Sequence, residues 1–230
     1  RLFVHLRSQE DDNGDTDALI EQLGAAGHPV VRLDLKDRYD LGAEFFRWEF
    51  ATAVAGAVLD IHPFDQPNVQ GAKDQTDAVL AQYQSSGSLP EMESTSTLPE
   101  LLRQLKAGDY LAIMAYLPET PEFLAAIESL RQRVMERYGV ATTFGFGPRF
   151  LHSTGQLHKG GPDSGVFLQL TADHPQDITT PGKPFTFQVL ADAQALGDLQ
   201  ALQNLGRRAA RIHLGVEPAA GVQHLTQEIG

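Results

Sequence analysis

Residues 110–146 read YLAIMAYLPETPEFLAAIESLRQRVMERYGVATTFGF, and this stretch decides the class of fold. Tyr110–Leu117 is an almost unbroken apolar run ended by Pro118, the pattern of a strand covered on both faces. Over Pro121–Tyr138 the period changes. Phe123, Leu124, Ile127, Leu130, Val134 and Met135 recur every three or four residues with charges between them, which predicts an amphipathic helix. Ala141–Phe146 is a short strand again. Strand, helix and strand in this order are a βαβ unit, and hence part of a parallel sheet.

The same alternation extends in both directions. Strands are expected at Leu2–Arg7, Val30–Leu35, Tyr110–Leu117, Ala141–Phe146, Val166–Thr171, Phe185–Leu190 and Arg208–Leu214, with a first helix from the cap Thr16 to Gly24. The expected class is α/β, a mostly parallel sheet flanked by helices. Glu44–Ile61 carries apolar residues on nearly every face, including Phe45, Phe46, Trp48, Phe50, Val54 and Val58, and is expected to be buried. Gln84–Pro99, QSSGSLPEMESTSTLP, is the expected linker. It gives an N-terminal lobe over 1–84, a linker over 85–98, a C-terminal lobe over 99–217 and a tail over 218–230.

The 230 residues include 18 Lys plus Arg against 30 Asp plus Glu, a net charge of −12, so nucleic acid and anionic membranes are not expected partners. The absence of cysteine excludes disulfides, a zinc ribbon and a thiol nucleophile, and leans towards the cytoplasm. No apolar run is long enough to span a membrane, and the opening RLFVHLR reads as a strand and not a signal sequence. A chain that starts inside a strand, without Met, is expected to be part of a longer protein.

Charge is uneven along the chain. Arg137–Pro162 contains no Asp or Glu, where even scattering would place about three, and carries Arg137, Arg149, His152, His158 and Lys159. Such a stretch, Gly-rich and directly after a strand, suits an anionic small molecule. A surface loop with turn-forming glycines is the alternative. His152 and His158, six apart, do not share a helical face, so no metal is expected. His152 is open to acid–base work, with the polar run Ser153–Gln156 able to orient it. By spacing alone Lys73 is a solvated helix residue.

Two motifs carry a resemblance. Gly56–Lys73, GAVLDIHPFDQPNVQGAK, resembles the C-terminal signature of the glucose-6-phosphate isomerase family, departing at Asn68 and Gln70, where the family usually has Gly and Glu. Leu151–Gly161, LHSTGQLHKGG, looks like the histidine motif of that family's shorter bacterial members. With GAEFFRWEFATAVAGAVLDIHPFDQPNV, the wording is most similar to the C-terminal region of bacterial bifunctional transaldolase/glucose-6-phosphate isomerases. Here the histidine motif follows the lysine motif, the reverse of the family's order, which implies either a permuted sugar-isomerase (SIS) domain or an added lobe.

The resemblance implies a flavodoxin-like three-layer α/β/α fold of SIS type. It also implies cofactor-free isomerisation of glucose 6-phosphate and fructose 6-phosphate through a cis-enediol, in glycolysis and gluconeogenesis. His152 would be the ring-opening acid/base and Lys73 its cationic partner. Gln156, Arg149 and Lys159 would bind substrate, and Glu49 would support structure. The family's general-base glutamate and its Ser/Thr-rich phosphate loop have no counterpart, so this portion alone is expected to be inactive. The implied partners are a sugar phosphate, an N-terminal isomerase domain, a transaldolase in the same chain and a second copy in a homodimer. The alternative reading is a non-catalytic sugar-phosphate-binding or dimerisation module.

Overall fold

A computed structural model describes residues 2–229, apart from the side chains of Val69 and Ala72; Arg1 and Gly230, at the ends of the expected first strand and tail, lie outside it. The chain divides into two compact units, Arg1–Asp65 and Gln66–Gly230.

The smaller unit is a single βαβ unit followed by a helix. Strand β1 (Phe3–Ser8) pairs in parallel with β2 (Val30–Leu35), joined by α1 (Gly14–Ala25) and followed by α2 (Asp40–Leu59). Helix α1 starts two residues before Thr16, with Asn13 in the cap position. Arg7 donates to Asp17 on α1 at 3.0 Å, and Arg47 pairs with the buried Glu44 at 2.9 Å. The expected burial of Glu44–Ile61 does not hold. Phe45, Phe46 and Phe50 are 64%, 70% and 62% exposed, Val58 and Leu59 are exposed too, and so is Glu49. A two-stranded sheet has too little face to cover a helix that is apolar all round.

The larger unit begins with α3 (Pro67–Ser86), α4 (Leu98–Leu102), β3 (Tyr110–Tyr116), α5 (Pro121–Tyr138) and β4 (Ala141–Phe146). A 3-10 turn (Arg149–His152), α6 (Gly155–Gly160), β5 (Gly165–Thr171), α7 (Phe187–Asn204), β6 (Arg208–His213) and α8 (Pro218–Gln227) complete it. Its four strands are all parallel in the order β4-β3-β5-β6. Side-chain alternation along β3 divides the core in two. Leu111, Ile113 and Ala115 join Phe123, Ile127 and Leu130 of α5 and Val222 and Leu225 of α8, while Ala112, Met114 and Tyr116 join Phe150, Phe167, Ala195 and Leu202 on the other face. Helices thus cover both faces of a parallel sheet, the α/β class expected.

Four further expectations are corrected here. Phe185–Leu190 is not a strand: Thr186 accepts a hydrogen bond from the Val189 amide at 3.2 Å and starts α7, whose Ala-, Leu- and Gln-rich body favours helix over the local Phe-Thr-Phe pattern. The boundary lies at Asp65/Gln66, not after 84, because Val79 and Leu80 of α3 pack with Ala193 of α7. Gly197 brings these two helices close, since a Cβ there would lie 2.8 Å from the Thr76 amide nitrogen. Nor is 85–98 a free linker: the Thr95 amide donates to the Arg211 carbonyl at 2.9 Å and the His213 amide to Ser94 at 2.9 Å, covering the edge of β6. The supposed tail over 218–230 contains α8, with Val222, Leu225 and Ile229 buried.

Among the described residues no helix is long and apolar enough to cross a membrane.

Candidate functional site

Pro67 occupies the first turn of α3, which sets the register of everything after it. Lys73, Thr76, Asp77 and Leu80 then fall at helical intervals of three, one and three residues on one face. That face forms one wall of a cavity of about 340 Å3. The opposite wall is Pro148, Leu151, His152, Gly155 and Lys159, and the third is Leu190 and Gln194 of α7. Lys73 and His152, in two separate motifs, therefore line one space within the larger unit.

The wall that carries His152 is held from below. Phe150 is buried edge-on against Tyr116, with ring centroids 5.7 Å apart. Its carbonyl accepts the Ser153 and Thr154 amides at 3.1 and 2.8 Å, which folds the chain directly after His152. The His152 ring makes no hydrogen bond among the described residues, so both nitrogens are available to a ligand.

Gln156 does not face the cavity as expected. Its side chain is clamped on Asn68, accepting the backbone amide at 3.0 Å and donating to Asn68 Oδ1 at 2.8 Å. Gly160 leaves room for this clamp, since a Cβ there would meet both side chains. Asn68 is the position where the lysine motif departs from its pattern, and the departure has a physical partner in the histidine motif. A glycine at 68 would lose the side-chain half of the clamp.

Lys159 lines the cavity, but its ammonium is committed elsewhere. Nζ lies 2.5 Å from Asp198 Oδ1, and the two side chains are 2% and 1% exposed. Burial raises the Asp198 pKa, and Lys159 opposes that rise. The Tyr116 phenol beside the same carboxylate is raised well above its usual range, by burial first and by Asp198 second.

Arg149 is on the far side of this wall. It donates to Glu119 Oε2 at 2.8 Å, lies over the Phe146 ring and is 71% exposed. Arg137 sits over its neighbour Tyr138. The acid-free stretch therefore does not form a single cationic pocket, and Arg149 is no part of the site that holds Lys73.

Sequence reasoning missed Thr76, Asp77, Gln194 and Asp198. The i+4 step from Lys73 along α3 was enough to find Asp77. Asp198 carries no local signal, because only the packing of α7 against α6 brings it to Lys159. Asp77 is the one carboxylate among the lining residues described. No cluster of three or more His, Asp or Glu suited to a metal ion occurs among the described residues.

No family model matches the chain, and no curated protein matches its sequence. Among solved structures it is similar to the crystal structure of hypothetical protein TT0462 from Thermus thermophilus, with 18% identity and a TM-score of 0.49. The similarity covers 97% of this chain and 55% of that one, so the chain spans about half the length of that neighbour.

Proposed function

We propose that the larger unit carries the lysine-and-histidine part of a glucose-6-phosphate isomerase active site, in an SIS-type fold. The supporting observation is that Lys73 and His152, from motifs far apart in the chain, line one cavity of about 340 Å3. Ring opening requires a proton to move between the ring oxygen and the anomeric hydroxyl, which an unpartnered imidazole can perform. An ammonium across the cavity stabilises the charge that develops on oxygen. The carboxylate that transfers the proton between C2 and C1 is expected from an N-terminal isomerase domain. On this reading the protein acts without a cofactor, in the cytoplasm, in glycolysis and gluconeogenesis.

Calorimetric titration with fructose 6-phosphate tests the proposal. The expected result is binding without turnover, weakened about tenfold by Lys73→Ala and by His152→Ala, as befits charge-assisted hydrogen bonds to a ligand. No binding, or binding indifferent to both changes, would overturn it. Turnover by this chain alone would instead place the base on Asp77, and Asp77→Asn would abolish it.

The exposed aromatic face of α2 favours a second reading for the smaller unit, as a dimerisation module. Phe46, Phe50, Val54 and Val58, exposed at intervals of four along one helix with the two rings stacked 6.2 Å apart, form the kind of apolar surface that marks an association site. A dimer in sedimentation velocity that becomes a monomer on Phe46→Glu with Phe50→Glu is the expected outcome; a monomeric parent chain would rule this reading out.

A further inference from the structure

The segment Arg149–Gly160 has a second side. There Arg149, Ser153, Thr154 and His158 face β3 and β4 across a separate cavity of about 260 Å3, which Thr143 and Met114 also line. His158 is the residue that packing alone does not explain. It is 4% exposed and lies between the Phe150 and Phe167 rings, with centroids 5.8 and 5.1 Å away. A phenylalanine would fill such a place without a desolvation cost. The imidazole instead has a buried Nδ1 with no partner, and its ring makes no hydrogen bond among the described residues. Burial, assisted by the Lys159 charge, lowers its pKa to about 4, so at neutral pH it is uncharged and carries one N–H donor.

The other polar groups of this cavity are also donors. The Ser153 and Thr154 hydroxyls both point at the single Phe150 carbonyl, at 3.1 and 3.2 Å, so one of them can turn to a ligand while the other keeps that bond. Arg149 uses Nη2 on Glu119 in an exposed ion pair, which leaves its remaining N–H groups free to bridge to a second anion. None of the lining residues is Asp or Glu, in a chain of net charge −12.

We propose that this second cavity binds a small molecule bearing an oxyanion, a carboxylate or a phosphate, with Arg149 at its mouth and Ser153, Thr154 and His158 as inner donors. Its volume lies below the roughly 300–1,000 Å3 of drug-sized sites, which limits the occupant to a small metabolite. The proposal does not depend on the isomerase reading, because the two cavities lie on opposite sides of one chain segment.

The test titrates inorganic phosphate and benzoate separately into the whole 15N-labelled chain, following the His158 ring nitrogens by NMR. Saturable shifts with either probe are the expected result, phosphate and benzoate distinguishing the two anion sources. Affinity should fall about tenfold or more in Arg149→Gln and be unchanged in Lys73→Ala. His158→Phe, checked for an unchanged fold by circular dichroism and titrated through the backbone amide signals of Ser153 and Thr154, should also weaken binding. Absence of saturation by either probe at about 10 mM would overturn the proposal. So would binding indifferent to Arg149→Gln, or binding lost in Lys73→Ala, which would place the anion in the first cavity.

Discussion

Replacing Asp198 with alanine is expected to destabilise the larger unit by about 3–5 kcal/mol, the effect of leaving one member of a buried ion pair alone. The reason is the place that the pair occupies. Asp198 comes from α7 and Lys159 from α6, and they meet where almost no water reaches either side chain. Without the carboxylate, the ammonium has to be buried unpaired, lose its proton or pull α6 away from the sheet. The last would move the wall that carries His152. Lys159→Met leaves a carboxylate that can take up a proton, which burial already favours, so it is expected to cost less. Lys159→Met combined with Asp198→Leu should recover most of the loss, because an apolar pair of similar volume replaces two desolvated charges. Urea unfolding of the parent, Lys159→Met, Asp198→Leu and the double variant measures the cycle, and unfolding of Asp198→Ala measures the first loss. Additive losses from the two single changes would show that the pair contributes nothing as a pair.

Acid should weaken the same unit before its carboxylates account for the loss. His158 has a folded pKa near 4 against an ordinary value of 6.5. Between these two values the unfolded chain binds one more proton at this residue than the folded one, so stability rises with pH and falls on acidification. The stabilisation is complete above pH 6.5, declines from there to about pH 4, and amounts to about 3 kcal/mol by linkage. His174 has the opposite sign. Its hydrogen bond to Asp192 raises its pKa, so its contribution is complete below 6.5 and is lost as pH rises through the folded value. Unfolding followed at several pH values, for the parent and for His158→Phe, isolates the first effect. A slope between pH 6.5 and 4 that is the same in both proteins would show that His158 is not its source.

The parallel sheet was readable from one stretch because β3 and β5 are buried on both faces, and burial of that kind leaves continuous apolar runs. Helix α7 was misread at its start because Phe185-Thr186-Phe187 resembles a strand to any local reading, while Thr186 acts through a backbone amide three residues on. Helix α2 was misread for a different reason. Its composition states that it avoids water, but composition does not state whether the covering surface belongs to the same unit. At the site, Lys73 and His152 were legible as motifs, but what Gln156, Arg149 and Lys159 do was not. Each of those three side chains is turned by one long-range partner: Asn68, Glu119 and Asp198. Such partners leave no trace in spacing, since they are set by helix packing and not by period.

The boundary between Asp65 and Gln66 falls inside the motif that reads as one signature along the chain. Pro63 belongs to one compact unit, and Pro67 and Lys73, with every other residue lining the first cavity, to the next. Continuity of a motif in sequence is therefore not continuity of a part. As material for recombination, the first cavity is a property of one span: residues 66–230 contain all of its walls, and none of the lining residues described comes from the first 65.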